Sequence, residues 1–496
     1  MRASFHDRVM HHKTMNHSHL FHPETSQCTP ATNAAMLESA LQTRRQFLSR
    51  FGGGMGAIGL AAMLGAETAP SAHAGALSPL APKKPHFAPK AKRVLHIFAQ
   101  GAPSHIDTFD PKPVLAAHDG KVMAEFDGLA FASPFKFSKH GKSGLEISEV
   151  FPQLATHADK MCVLRSMWTD APDHVISTFM VTTGQGRLPR PSMGSWITYG
   201  LGSENQNLPG YIALSPGAIP FGNQNLRSAF LPGACQGTLI NTTQRDVEKL
   251  IENIRNHYVT SKEQRAQLDL MSKLNSRFKI DDGIEARIQS FELAFQMQVE
   301  ATDAFDISRE PEAVRERYMA DTQQGVQMLI ARRLLERGVR VVQVWHGGWD
   351  HHVDIAKNMR SKAAECDQPI AALLTDLKER GLLDDTLVVW GGEFGRMPRR
   401  QLPTGNIKLE SPPGRDHNAK GFVTWLAGGG VKGGMAYGAT DDFGYQAVDN
   451  KVHIHDLHAT ILHLLGFNHE HLTYRYNGRD FRLTDVFGTV VKDIIA

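Results

Sequence analysis

The sequence predicts an α/β protein built on a doubly wound, mostly parallel sheet. Three observations point there. Short β-branched and aromatic runs alternate with helix-length amphipathic stretches, the order that parallel sheets use. Three of those runs end in turns carrying carboxylates or imidazoles, and the carboxyl edge of such a sheet is where its ligand site forms. Of 496 residues, about 420 follow a leader, enough for one large α/β domain with an insertion.

Residues 1–74 read as that leader. Thr43-Arg44-Arg45-Gln46-Phe47-Leu48-Ser49 resembles the twin-arginine export motif, and a Gly- and Ala-rich apolar run follows from Phe51 to Leu64. Ala72-His73-Ala74 then offers a small-residue cleavage site. The run is too short and too Gly-rich to span a bilayer comfortably, which reads as a signal peptide and not an anchor. The expected partner is the twin-arginine export machinery, and the expected location is periplasmic or extracellular. A start at Met36 would leave a leader of ordinary length. The histidines before residue 23 are therefore not counted as metal ligands.

The formal net charge is +3, and no Lys/Arg cluster alternates with aromatics, so nucleic-acid binding has little support. Cys28 lies in the leader, leaving Cys162, Cys235 and Cys366. An odd number without close spacing argues against a disulfide framework or a thiolate zinc site.

Residues 75–92, rich in Pro, Ala and Lys, read as a linker. Residues 93–246 form the first part of the α/β core. Arg93 to Ala99 is its first strand, and it feeds a turn-rich loop from Gln100 to Lys112 that holds Asp107 and Asp110. A helix is expected from Ile147 to Ala158, a strand from Met161 to Leu164, a helix from Ser192 to Leu201 and a strand from Tyr211 to Leu214. Residues 247–320 change in texture: charged, helix-favouring, with amphipathic spacing at Phe291, Leu293, Ala294 and Met297. They read as a helical insertion, a cap or an oligomer surface. Residues 321–496 resume the core. A helix from Asp321 to Arg337 stops at Gly338, and the strand Val341 to Trp345 follows. A helix from Ile355 to Arg380 stops at Gly381 and leads to the strands Leu387 to Trp390 and Phe422 to Leu426. A last helix, His455 to Leu465, stops at Gly466. No internal repeat of twenty to fifty residues is visible.

The strand at 341 leads into Gly347-Gly348 and then Asp350, His351, His352 and Asp354. These residue types bind divalent metals, although an Asp here also suits a helix cap. Asp107 and Asp110 follow the first strand, and Glu393 follows the strand at 387. Gly414-Arg415-Asp416-His417-Asn418 precedes the Phe422 strand, so His417 is expected to need a returning loop to reach the others. Ser104 is a candidate anion binder, or a turn-stabilising Ser. Arg396 is a candidate phosphate or sulfate clamp, or an ordinary ion-pair residue.

The segments GAPSHIDTFDPKP, FLPGACQGT, ARRLLERGVRVVQVWHGGWDHH, WGGEFGRMP and GRDHN resemble the bacterial domain of unknown function numbered 1501, of the alkaline phosphatase and sulfatase-like superfamily. The resemblance implies a sheet of alkaline-phosphatase type. It places Glu393 where the superfamily has a metal-binding Asp, with Phe394 replacing the following His or Asn. Asp350 with His351 or His352 is similar to the Asp and His that phosphatases give one metal, and His417 to a later His ligand. Asp456 to Gly466 resembles a structural C-terminal helix.

One departure is informative. Sulfatases carry their nucleophile ten residues before a Thr-Gly; here Thr183-Gly184 is present, and the tenth residue back is His174. Ile176 and Thr178 occupy the Pro and Arg positions, and Ser177 is out of register. His174 has three readings: a direct nucleophile, a metal ligand or base, or a packed residue in a dead site.

The expectation is a metal-dependent hydrolase of sulfate or phosphate esters with one or two divalent ions (Zn, Mn or Ca). Asp107, Asp350, His351 or His352, Glu393 and His417 are the expected ligands. Metal-bound hydroxide or His174 would attack a small anionic ester or a sulfated or phosphorylated glycan. The alternative is a non-catalytic, metal-containing protein that binds an anionic glycan or envelope component. A third possibility is an exported scaffold with no use for the clusters. Substrate and oligomeric state are not legible.

Overall fold

The apolar run Arg93–Phe98 (β1) is buried along nearly its whole length, as a strand flanked by sheet and covered on both faces must be. The protein is described by a computed structural model that covers residues 80–496, apart from 245, 247–249, 251–258, 279–287, 289–290, 293–294, 296–302 and 409. The leader, residues 75–79 of the linker and three of the four positions of the expected amphipathic stripe (Leu293, Ala294, Met297) lie outside the described residues.

The sheet strands that follow are Met161–Trp168 (β2), Tyr211–Ser215 (β3), Thr238–Asn241 (β4), Val341–Trp345 (β5) and Thr386–Gly391 (β6). Phe422–Ala427 (β7), Met435–Tyr437 (β8) and Val452–His453 (β9) complete it. Their spatial order is β8-β2-β7-β6-β1-β5-β3-β4, with β9 also paired to β2. All pairings are parallel except the two made by β7, which runs antiparallel to β6 and to β2. The α/β class with a mostly parallel sheet is therefore as the sequence predicts.

Alternate residues of each central strand enter opposite cores. Leu95, Ile97, Val342, Val344, Val388 and Trp390 face one; Val94, Phe98, Val341, Trp345, Leu387 and Val389 face the other. The first core is covered by Gln323–Glu336 and Ile355–Glu379, the second by His174–Thr183, Met193–Leu201 and Ile454–Leu464. In chain order, with Ser261–Phe278 as α3, these helices are α1 (His174), α2 (Met193), α4 (Gln323), α5 (Ile355) and α6 (Ile454). Helices on both faces make the sheet doubly wound.

Most element ends have local causes. Thr322 caps α4 by accepting from Gly325 N, and α5 ends before Gly381 in the left-handed region, at φ +67. One expected element differs. Ile147 to Ala158 is not a helix: Leu145–Ser148 is a strand paired with Phe137–His140, and Leu154–Lys160 is a 3-10 segment. Pro152 explains the break, because it biases Phe151 away from helical backbone. The buried Asp367 carboxylate of α5 then accepts from Gln153 N and Leu154 N, at 2.9 and 2.7 Å. Cys162, Cys235 and Cys366 are all free and buried. Among the described residues no helix is long and apolar enough to cross a membrane.

Candidate metal centre

Four chain segments bring side chains to the carboxyl edge of the sheet. β5 runs out into Asp350 and His352, and β6 into Glu393. The chain leaving β2 reaches His174 in the first turn of α1, whose cap is Asp173, accepting from Ile176 N. The fourth segment precedes β7. Because β7 is antiparallel, its start lies at the same edge as the ends of its neighbours, so His417 needs no returning loop. A short ladder between Gly395–Arg396 and His417–Asn418 pins it there.

Three imidazoles meet around one carboxylate. Asp350 Oδ1 lies 3.0 Å from His352 Nε2 and 3.1 Å from His417 Nε2, and Oδ2 lies 3.3 Å from His174 Nε2. The His352 and His417 Nε2 atoms are 2.9 Å apart. Each imidazole is held through its other nitrogen by a fixed oxygen: His174 Nδ1 by Glu393 Oε1 at 2.6 Å, His352 Nδ1 by Gln401 Oε1 at 2.8 Å, His417 Nδ1 by the Pro172 carbonyl at 3.1 Å. Since those oxygens can only accept, each Nδ1 carries a proton, and each Nε2 faces the Asp350 carboxylate.

The charges are strongly coupled. Burial opposes ionisation of Asp350, but the facing imidazoles of His174, His352 and His417 and the Arg396 charge hold its carboxyl far below the usual range. Burial likewise disfavours charge on His174, yet Asp350 and Glu393 outweigh it and raise its pKa to about 9. His352 is raised too, chiefly by Asp350.

This arrangement fits a divalent ion. His174 Nε2 is buried and faces Asp350 Oδ2 at 3.3 Å without a well-formed hydrogen bond. The His352 and His417 Nε2 atoms, 2.9 Å apart, are close enough to share a proton or a cation. Contacts of 2.9–3.3 Å between donors are close to the edge of about 3.3 Å expected between neighbouring ligands of a tetrahedral ion with bonds of about 2.0 Å. His174, Asp350 and His417 form a set able to share one ion, and His352 adjoins it.

The family described as "Protein of unknown function (DUF1501)" matches residues 91–495. The chain belongs to it. No curated protein matches the sequence. Among solved structures, the lipoteichoic acid synthase LtaP from Listeria monocytogenes is similar at 10% identity and TM-score 0.35, over 80% of this chain and 76% of that one. The PsFucS1 sulfatase from Pseudoalteromonas sp. is similar at 13% identity and TM-score 0.34, over 77% and 68%. The alkaline phosphatase from the Antarctic bacterium TAB5 is similar at 12% identity and TM-score 0.31, over 76% and 98%.

In this DUF1501 chain several expected site residues have other work. Asp107 is not at the cluster: it is fully buried and takes a two-pronged ion pair from Arg415, at 2.7 and 3.1 Å. Breaking such a pair costs about 3–5 kcal/mol, so the carboxylate is not available to a metal. Ser104 gives its hydroxyl to Asp107 at 2.5 Å and is buried, which removes it from substrate binding. His351 faces away, with Nε2 on the Gly348 carbonyl at 3.0 Å, and burial lowers its pKa to about 4. Asp354 is the helix cap, accepting from Lys357 N.

Two more are at the site in different roles. Glu393 is fully buried and accepts the Gly101 N–H on both oxygens, at 2.9 and 3.2 Å, while holding His174. It holds the His174 imidazole from behind, the place that carboxylates take behind metal-binding histidines. Arg396 is no anion clamp: its buried guanidinium donates to the Gly101, Ala102 and Arg415 carbonyls and to Asp350. It is a positioning residue for Asp350.

The sequence reading missed Gln401, the Pro172 carbonyl, the Gly101 N–H and the partner role of Arg415. Only Arg415 carried a signal, being two residues before His417 in the GRDHN segment. Ser177 is no substitute nucleophile, since its buried hydroxyl donates to the Ala171 carbonyl at 2.6 Å.

Proposed function

We propose that this protein is an exported, metal-dependent hydrolase of sulfate or phosphate esters, with one ion held by His174, His352, His417 and Asp350. The observation that carries the reading is the convergence of three anchored imidazoles on one carboxylate. Three nitrogens and an oxygen suit zinc or manganese; calcium, which takes oxygen ligands, fits this donor set poorly. When bound, such an ion polarises an ester oxygen and lowers the pKa of water.

The chain's own contribution is orientation and charge. Glu393, Gln401 and the Pro172 carbonyl fix the tautomers, and Arg396 keeps Asp350 ionised and in place. Ser104 and Ser177 are buried and hydrogen-bonded, so neither serves for a covalent ester. His174 has its Nδ1 held by Glu393 and its Nε2 facing Asp350, which favours the ligand role over that of nucleophile. Direct attack by water is the route these residues leave. The twin-arginine-like motif at Thr43 to Ser49 supports delivery to the periplasm or beyond.

The missing hydroxyl nucleophile is also what a non-catalytic binder would show, and that is the second reading. One experiment separates them: metal analysis of protein purified without chelators, with turnover of aryl phosphate and aryl sulfate. The proposal expects about one zinc or manganese per chain and turnover that falls at least a hundredfold in His352→Ala. Metal without turnover selects the binder. Absence of metal in the wild type overturns both.

A further inference from the structure

A cleft of about 540 Å³ opens beside the cluster, and His417 is part of its wall. That volume is within the range of about 300–1,000 Å³ typical of small-molecule sites. Its other walls combine aromatic faces with cations. Trp168, at the end of β2, is 36% exposed, and its ring packs on the His453 imidazole, with centroids 4.5 Å apart. Tyr445 stands among the lining residues with Lys420, whose ammonium lies 4.7 Å over the Tyr445 ring and donates to its hydroxyl at 3.0 Å. Lys451 adds a second exposed cation. The cleft's acid, Asp170, faces the His453 Nε2 at 3.5 Å.

We infer that this cleft seats the alcohol part of the ester, and that this part is a saccharide bearing a second sulfate or phosphate group. The inference rests on ester hydrolysis at the adjoining cluster. Hydrolysis joins a water oxygen to the sulfur or phosphorus as its bond to the ester oxygen breaks, and one water proton passes to that oxygen. The anion stays at the cluster and the protonated alcohol is left in whatever space adjoins it, and the shared His417 makes the cleft that space. An exposed indole suits a ring with apolar C–H faces and a hydroxyl rim, the shape of a pyranose. Two lysines among the lining residues suit an anionic substituent on that ring, since an ammonium gives a point charge with rotatable donors. The charge also discriminates: a neutral sugar leaves both lysines without a counter-charge.

The test is calorimetric titration of the purified protein with a polysulfated disaccharide, its desulfated parent and adenosine monophosphate. Wild type should bind the sulfated sugar at least tenfold more tightly than the parent. Lys420→Met with Lys451→Met should lose at least tenfold for the sulfated sugar only, and Trp168→Ala should lose at least threefold for both sugars. Unchanged melting temperatures establish that each variant is folded. No binding of the sulfated sugar by wild type, wild-type affinity in the lysine variant, or tighter binding of the nucleotide each overturns the inference. Aryl-ester turnover measured on the same wild-type sample keeps the two claims apart. The expected binding pattern without turnover removes the hydrolase and leaves the saccharide cleft, whereas turnover without that pattern does the reverse.

Discussion

Asp350 is where the site's charges meet, and its surroundings set a pH dependence of definite sign. In the metal-free protein it is faced by His174, His352, His417 and Arg396, so the cluster carries its own protons as counter-charge. The His174 pKa is raised from 6.5 to about 9. A group whose pKa is raised by folding stabilises the fold fully below its unfolded value and loses that contribution as pH climbs through the folded one. Metal-free protein should therefore melt at a lower temperature at pH 9.5 than at pH 6.5, as read by scanning calorimetry. Metal competes with the same proton, so zinc affinity should rise across that window. A metal-free melting temperature that climbs from pH 6.5 to 9.5 would contradict the assignment of His174. Glu393 gives a second test at this scale. Glu393→Gln keeps the shape but removes the charge that holds the imidazole, and outer-sphere changes of this kind typically cost 10–100-fold in metal affinity. Competition against a fluorescent zinc chelator measures it; an unchanged affinity would mean that Glu393 does not orient His174.

At the scale of elements, the site depends on how closely the loops after β1, β5 and β6 approach. Gly101 allows this. Its φ is +106, and a Cβ there would lie 2.7 Å from Asp350 N and 2.8 Å from Trp349 N, backbone atoms with no freedom to move aside. Gly101→Ala should cost about 1–3 kcal/mol of stability and weaken metal binding as well, because Asp350 and Glu393 both lean on this loop. Urea unfolding and chelator competition on one preparation test the pair; loss of stability with metal affinity intact would detach the loop from the site. The same elements show what was legible in the sequence. The apolar runs at 93, 341 and 387 were readable because strands buried on both faces need continuous β-branched and aromatic residues. The direction of β7 was not, since Phe422 to Leu426 reads the same either way, and only pairing with β6 and β2 decides it. That direction delivers His417 to the cluster. Asp107 misled for the opposite reason: a turn-rich loop of acids looks like a ligand loop until the buried Arg415, some 300 residues later, is seen to occupy it.

For the whole molecule, a doubly wound sheet gives a rigid frame with every site segment at one edge. The two cores, one on each face, hold β1, β5 and β6 in register, and the loops inherit that precision. Among the described residues of 247–320, none belongs to the cluster. Of the site itself, the residue types at strand ends were legible, while the supporting atoms were not: a main-chain N–H, a carbonyl and Gln401 leave no mark in a sequence. The central claim is that this frame aims three imidazoles and one carboxylate at a single divalent ion. An anomalous-difference map from crystals grown with zinc, at the zinc edge, tests it most directly. The account predicts one strong peak bounded by His174 Nε2, His352 Nε2, His417 Nε2 and the Asp350 carboxylate. An empty map at that point, or a peak ligated by Glu393 or Asp107 instead, would contradict it.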